Sequence, residues 1–140
     1  MKRKKIKSLT DDSESAIIKV AVSEKKLSFE WYRTSSGCEF RTYLDSLPRN
    51  DKERILARII AIEINGIDAA IKSEWVKKLE DNLYEIRVVG TNQLRGIYFH
   101  FINDHYVITN GFTKKQGPVP EEEKEKARLL RARYMEEHKK

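Results

Sequence analysis

Leu83-Tyr84-Glu85-Ile86-Arg87-Val88-Val89, then Leu94-Arg95-Gly96-Ile97-Tyr98-Phe99-His100-Phe101-Ile102, then Tyr106 to Phe112: three apolar, β-branched and aromatic runs follow one another. Only short polar turns, Gly90 to Gln93 and Asn103 to His105, separate them. Runs this close together predict an antiparallel meander, because strands joined by tight turns pair with their neighbours. The middle run is apolar at Ile97, Tyr98, Phe99, Phe101 and Ile102, so both of its faces are expected to be covered.

Upstream lie the elements for one covering layer. Leu27 to Arg33 alternates, with Leu27, Phe29 and Trp31 on one side and Ser28 and Glu30 on the other, and reads as a strand with one buried face. Phe40 to Leu47 reads as a short helix ended by Pro48, with Asn50 or Asp51 as cap of the next. Ile55, Leu56, Ile59, Ile60 and Ile62 recur at helical spacing, and Asn65-Gly66 supplies a stop that needs positive φ. A helical hairpin results, joined to the meander by a connecting segment containing Trp75. Downstream, Gly117-Pro118-Val119-Pro120 breaks the chain. Glu121, Glu122 and Glu123 then open a helix whose far end is read as rich in Arg and Lys, an order that suits the helix dipole. Ala127, Leu130 and Tyr134 form its narrow docking stripe.

The expected fold class is therefore α+β: a helical hairpin packed on a small antiparallel sheet, made of the N-terminal strand plus the three-strand meander, with a C-terminal helix. A chain of 140 residues suits one domain, placed at 27–140, with 1–26 as a polar basic extension. The net charge of +6 is uneven: residues 1–26 hold eight basic and four acidic residues, whereas 27–140 hold 20 and 18. A nucleic-acid site in the body must then be a local basic patch. Cys38 is the only cysteine, which excludes an internal disulfide or a cysteine-based zinc cluster and favours a reducing, cytoplasmic location. No apolar run is long enough for a membrane span, and the basic start lacks the uncharged stretch of a signal peptide. Paired-histidine, GxxxxGK[ST] and GxGxxG motifs are absent, so no metal or nucleotide cofactor is expected.

Cations are the chemistry-bearing residues. Arg87 ends the first meander strand and Arg95 starts the second, so a short turn brings both to one end of the sheet, and Lys114 and Lys115 follow the third strand to the same end. Arginine holds phosphate oxygens bidentately. Each position keeps a plainer reading. Arg87 can pair with Glu85 on its own strand face, and lysines are common in turns, whereas Arg95 among apolar residues needs a reason to be there, which favours function. His100 reads as structural, His105 as a turn residue and His138 as part of a frayed tail. Tyr84, Tyr98, Phe112 and Trp31 read as core, although Phe112 and Trp31 are also candidates for stacking on bases.

Four pieces together resemble the RelE/ParE toxin superfamily, and within it the phage-derived HigB-like toxins. They are Tyr43-Leu44-Asp45-Ser46-Leu47-Pro48; Leu79-Glu80-Asp81-Asn82-Leu83-Tyr84-Glu85-Ile86-Arg87; Leu94-Arg95-Gly96-Ile97-Tyr98-Phe99; and Gly111-Phe112-Thr113-Lys114-Lys115 ahead of the proline–glutamate helix start. The resemblance spans about residues 27–135. It implies a RelE-like fold and a ribosome-dependent, metal-independent messenger-RNA endoribonuclease, the toxin of a type II toxin–antitoxin system. It further implies that Arg87, Arg95 and Lys115 hold and stabilise the scissile phosphate, and Lys77, Lys78 and Lys114 are the further cations expected to bind RNA. Cleavage by the RNA's own 2′-hydroxyl needs alignment, charge stabilisation and proton transfer, and positioned cations supply the second. The tyrosine that RelE carries near the start of its last helix has no counterpart from Val119 to Ala127, which leaves the acid–base step open. Implied partners are a HigA-like helix-turn-helix antitoxin, the ribosome and its message, with DNA met only through the antitoxin complex. Two other readings stay open: a ParE-like inhibitor of DNA gyrase, and a non-catalytic RNA- or protein-binding relic.

Overall fold

The computed structural model describes residues 24–139. In chain order these form β1 (Ser28–Trp31), α1 (Glu39–Ser46), α2 (Arg49–Asn65), α3 (Ile67–Lys72), β2 (Val76–Glu80), β3 (Leu83–Val88), β4 (Gln93–Ile102), β5 (His105–Lys114) and α4 (Glu121–Glu137). The fold is α+β, and its five strands make one mixed sheet in the order β1-β5-β4-β3-β2. The extension proposed for residues 1–26 lies mostly outside the described residues.

The meander forms as its alternation dictates, and its register sets everything downstream. Arg87 stands opposite Arg95 between β3 and β4, Arg95 opposite Phe112 between β4 and β5, and Gln93 opposite Lys114. β4 is buried from Leu94 to Phe99, so both faces of the sheet are covered. On one face Phe40, Leu44, Ile55, Ile59, Ile62 and Ala70 from α1, α2 and α3 pack on Ile86, Val88, Leu94, Tyr98 and Ile108. On the other, α4 buries Tyr134 against Tyr32, Phe99 and Val107, and Ala127 against Leu83, Ile97 and Phe112. The expected stripe of α4 is thus its buried face.

Close approach of α1 depends on a glycine pair. Gly96 and Gly111 face each other across β4 and β5. The Phe40 ring lies over the first and the Tyr43 ring over the second, where a Cβ on Gly111 would collide with it.

Five expectations are corrected. The sheet is mixed, not antiparallel: β1 runs parallel to β5, because the chain returns through the helices before the meander begins. Part of the supposed connecting segment is an edge strand, β2, paired with β3 through a turn at Asp81-Asn82, where Asn82 has φ 48°. A short helix, α3, follows the hairpin directly after Gly66, whose φ of 94° only glycine adopts freely. Neither Asn50 nor Asp51 caps α2; Pro48 occupies that place, and Asp51 sits buried in the first turn. The last turn of α4 holds no basic residue and ends on Glu136 and Glu137. Its arginines lie further back and brace the β2–β3 hairpin. Arg128 donates to Glu80 at 2.7 and 2.8 Å, and Arg131 donates to the carbonyls of Asp81 and Asn82 at 3.0 and 2.8 Å.

No helix among the described residues is long and apolar enough to cross a membrane.

Candidate cation site at one end of the sheet

Pleating puts every second residue on the same face, and the register carries that face across strands. Glu85 and Arg87 on β3, Gln93 and Arg95 on β4, and Phe112 and Lys114 on β5 therefore share the α4 side of the sheet, at the end away from His105. Lys115 follows β5 and is exposed. Lys77 pairs with Glu85 at the β2 edge, so it belongs to this face, whereas Lys78 pairs with Tyr84 and belongs to the opposite one. There Lys78 borders a 580 Å³ groove with Tyr84, Tyr98, Tyr106, Ile67 and Ile71, a groove that Lys77 also lines. Of the six sequence candidates, the structure brings Arg87, Arg95 and Lys114 together, sets Lys115 and Lys77 at the margins, and turns Lys78 away.

Arg95 is 2% exposed. Its Nη1 donates to the carbonyl of Leu94 at 3.0 Å and its Nη2 to Gln93 Oε1 at 3.4 Å, while Nε lies 3.3 Å from Glu85 Oε1. Burial lowers its pKa, Glu85 opposes that shift, and neighbouring Arg87 adds to it. The other Glu85 oxygen lies 3.8 Å from Arg87 Nε, and the Arg87 side chain is 25% exposed. The plainer reading of Arg87 has a structural basis, since Arg87 does meet Glu85, and the same carboxylate also faces Arg95. Yet neither contact is a formed hydrogen bond. Glu85 Oε1, Arg87 Nε and Arg95 Nε are all buried without a hydrogen-bond partner among the described residues. Native proteins seldom leave buried polar atoms unpaired, so such a cluster calls for an explanation.

Residues that the sequence reading missed hold the turn above this cluster. From α2, Arg54 donates to the carbonyl of Val89 at 2.8 Å, Arg58 donates to the carbonyl of Arg87, and Asp51 accepts from Asn92 at 2.7 Å. Arg58 also lies over the Trp75 ring, 4.9 Å from its centroid. Gly90 leaves room for Arg54, since a Cβ there would collide with its guanidinium. The arginines Arg54 and Arg58 lie four apart, a spacing that marks one helix face but not what that face meets. On the α4 side, buried Asn110 donates to Glu123 Oε1 at 3.1 Å and fixes the first turn of that helix.

The histidines are employed elsewhere. His105 is the first residue of β5, not a turn residue, and its Nε2 lies 2.7 Å from Glu30 Oε1. It stands nine residues from Lys114, about 30 Å along the strand. His138 is not frayed: it stacks on Tyr134 at 3.9 Å and lies 2.9 Å from that residue's carbonyl. His100 meets the carbonyl of Asn103 at 2.7 Å. Phe112 is buried and Trp31 packs edge-on against Phe40, so both belong to the core. Among the described residues no three His, Cys, Asp or Glu side chains gather to hold a metal ion.

The family model described as "Phage derived protein Gp49-like" matches residues 42–131, from α1 through the meander into α4. No curated protein matches the chain.

Proposed function

Since the chain belongs to the phage-derived Gp49-like family, a RelE/ParE-like toxin family, we propose that it is a HigB-like toxin that cuts messenger RNA on the ribosome. Membership implies an antitoxin partner, and a HigA-like helix-turn-helix protein is the form proposed for it. The observation that carries the nuclease reading is the register pair Arg87–Arg95 with Lys114 at the same sheet end. Like charges directly opposite each other destabilise a sheet, and Glu85 offsets only one of the two, so the pair keeps a surplus positive charge suited to an anionic ligand. In this reading Arg87 and Lys115 meet the phosphate from the solvent side, Lys114 and Lys77 extend the basic margin, and Arg95 lies behind them. Positioned cations stabilise the charge that develops on phosphorus.

Burial of Arg95 is the observation that favours a second reading, a member of the fold that binds RNA or protein without cutting. Purified protein incubated with translating ribosomes separates the two, with a gyrase supercoiling assay run in parallel. New message ends within codons support the nuclease; intact message with inhibited supercoiling points to a ParE-like action; intact message with unaffected gyrase leaves the non-catalytic reading.

A further inference from the structure

Glu85, Arg87 and Arg95 carry two positive charges and one negative. Arg95 is enclosed, and an enclosed charge needs a counter-ion nearby. Glu85 is itself 3% exposed and meets Arg95 with Oε1 and Arg87 with Oε2. Its single charge balances the interior arginine, so the surplus positive charge emerges at Arg87, the partly exposed member.

The main chain of Arg87 is held from both sides, its N–H donating to Trp75 O at 2.7 Å and its carbonyl accepting from Arg58. Its side chain makes no hydrogen bond among the described residues, and Glu85 is its one salt-bridge partner there. A purely architectural bridge in the same protein looks different: Arg128 meets Glu80 with two hydrogen bonds at 2.7 and 2.8 Å.

We propose that Glu85 is a positioning residue, anchored by buried Arg95, that steers the Arg87 guanidinium toward solvent, so that Arg87 alone of the three touches a phosphate. The inference rests on the ribonuclease reading. It assigns Arg95 a supporting place, because a side chain so enclosed has no open path to RNA.

A double-mutant cycle on ribosome-bound message, with the full chain, tests it. Glu85→Gln keeps the shape and removes the charge, and should lower kcat roughly 10- to 100-fold with little change in KM, as expected for a misplaced transition-state contact. In an Arg87→Ala background the same change should cost nothing further, because Glu85 acts through Arg87. Independent losses that multiply would overturn the proposal.

Should Glu85→Gln fail to fold, Glu85→Gln combined with Arg95→Met removes both interior charges and takes its place in the cycle. Nitrogen relaxation at Arg87 Nε gives a readout that needs no activity. The side chain should be restrained in the wild-type protein and freed in the variant; equal mobility in both would overturn the proposal even if the protein cuts no message at all. Loss of cleavage by the wild-type chain with the expected change in Arg87 mobility would reject the ribonuclease reading alone.

Discussion

The two ends of β5 solve the problem of polar groups beside a covering helix in opposite ways. At the His105 end, Tyr134 donates to Glu30 at 2.7 Å, His105 lies 2.7 Å from the same oxygen, and Tyr32 donates to Glu137 at 2.8 Å. Aromatic edges from Phe99, Phe101 and Tyr32 close around Tyr134. At the Lys114 end, three buried polar atoms of Glu85, Arg87 and Arg95 have no hydrogen-bond partner among the described residues, and two like charges are set opposite each other. The first end holds α4 in place. The second sets two arginines around one shared carboxylate, a local conflict of charge of the kind that functional sites retain.

The largest expected contrast comes from Arg95→Ala. It leaves Glu85 buried without its enclosed counter-ion, so it should cost about 3–5 kcal/mol of stability, read by denaturant unfolding. A loss under 1 kcal/mol would mean that the interior charge is solvated after all. At the other end Tyr134→Phe should cost about 1 kcal/mol, the net worth of one hydrogen bond, and leave cleavage untouched. Burial and the Glu137 carboxylate push the Tyr32 pKa up to about 12, and burial and Glu30 raise that of Tyr134. Tyrosines with raised folded-state pKa values contribute stability that is complete below pH 10 and lost as pH climbs through the raised values. Tyr134→Phe should therefore flatten part of the alkaline melting curve.

The smallest effect belongs to the brace between the two ends. Arg128 holds the Glu80 carboxyl below its usual pKa, and a depressed carboxylate contributes above its unfolded pKa and loses that contribution as pH falls through the folded one. Arg128→Gln should lower the melting midpoint by a few degrees at neutral pH, with the gap closing in acid. A gap that persists below pH 3 would assign the effect to packing.

What was legible in the sequence followed from local pattern. Alternation located β3, β4 and β5, and tight turns fixed their order, so the meeting of Arg87, Arg95 and Lys114 at one end could be read before any coordinates. The stripe Ala127, Leu130, Tyr134 was equally plain. What failed to show depended on distant partners. The edge strand β2 reads Val-Lys-Lys-Leu-Glu with a register shift between Lys78 and Glu80, so no period-two signal survives. The parallel direction of β1 is set by the helical crossover, which local residues do not encode. Enclosure of Arg95 depends on how distant segments close over the sheet, and the brace from Arg54 and Arg58 depends on where α2 docks.

The central claim is that the incompletely satisfied end is a phosphate site presented by Arg87. It is tested most directly by mapping message ends after translating ribosomes meet the wild-type protein or Arg87→Ala. The prediction is cuts within codons by the wild type and a rate about 100-fold lower or less for a variant that melts like it, the usual cost of losing one preorganised donor. Equal cutting by a folded Arg87→Ala protein, or no cutting by either, would contradict it.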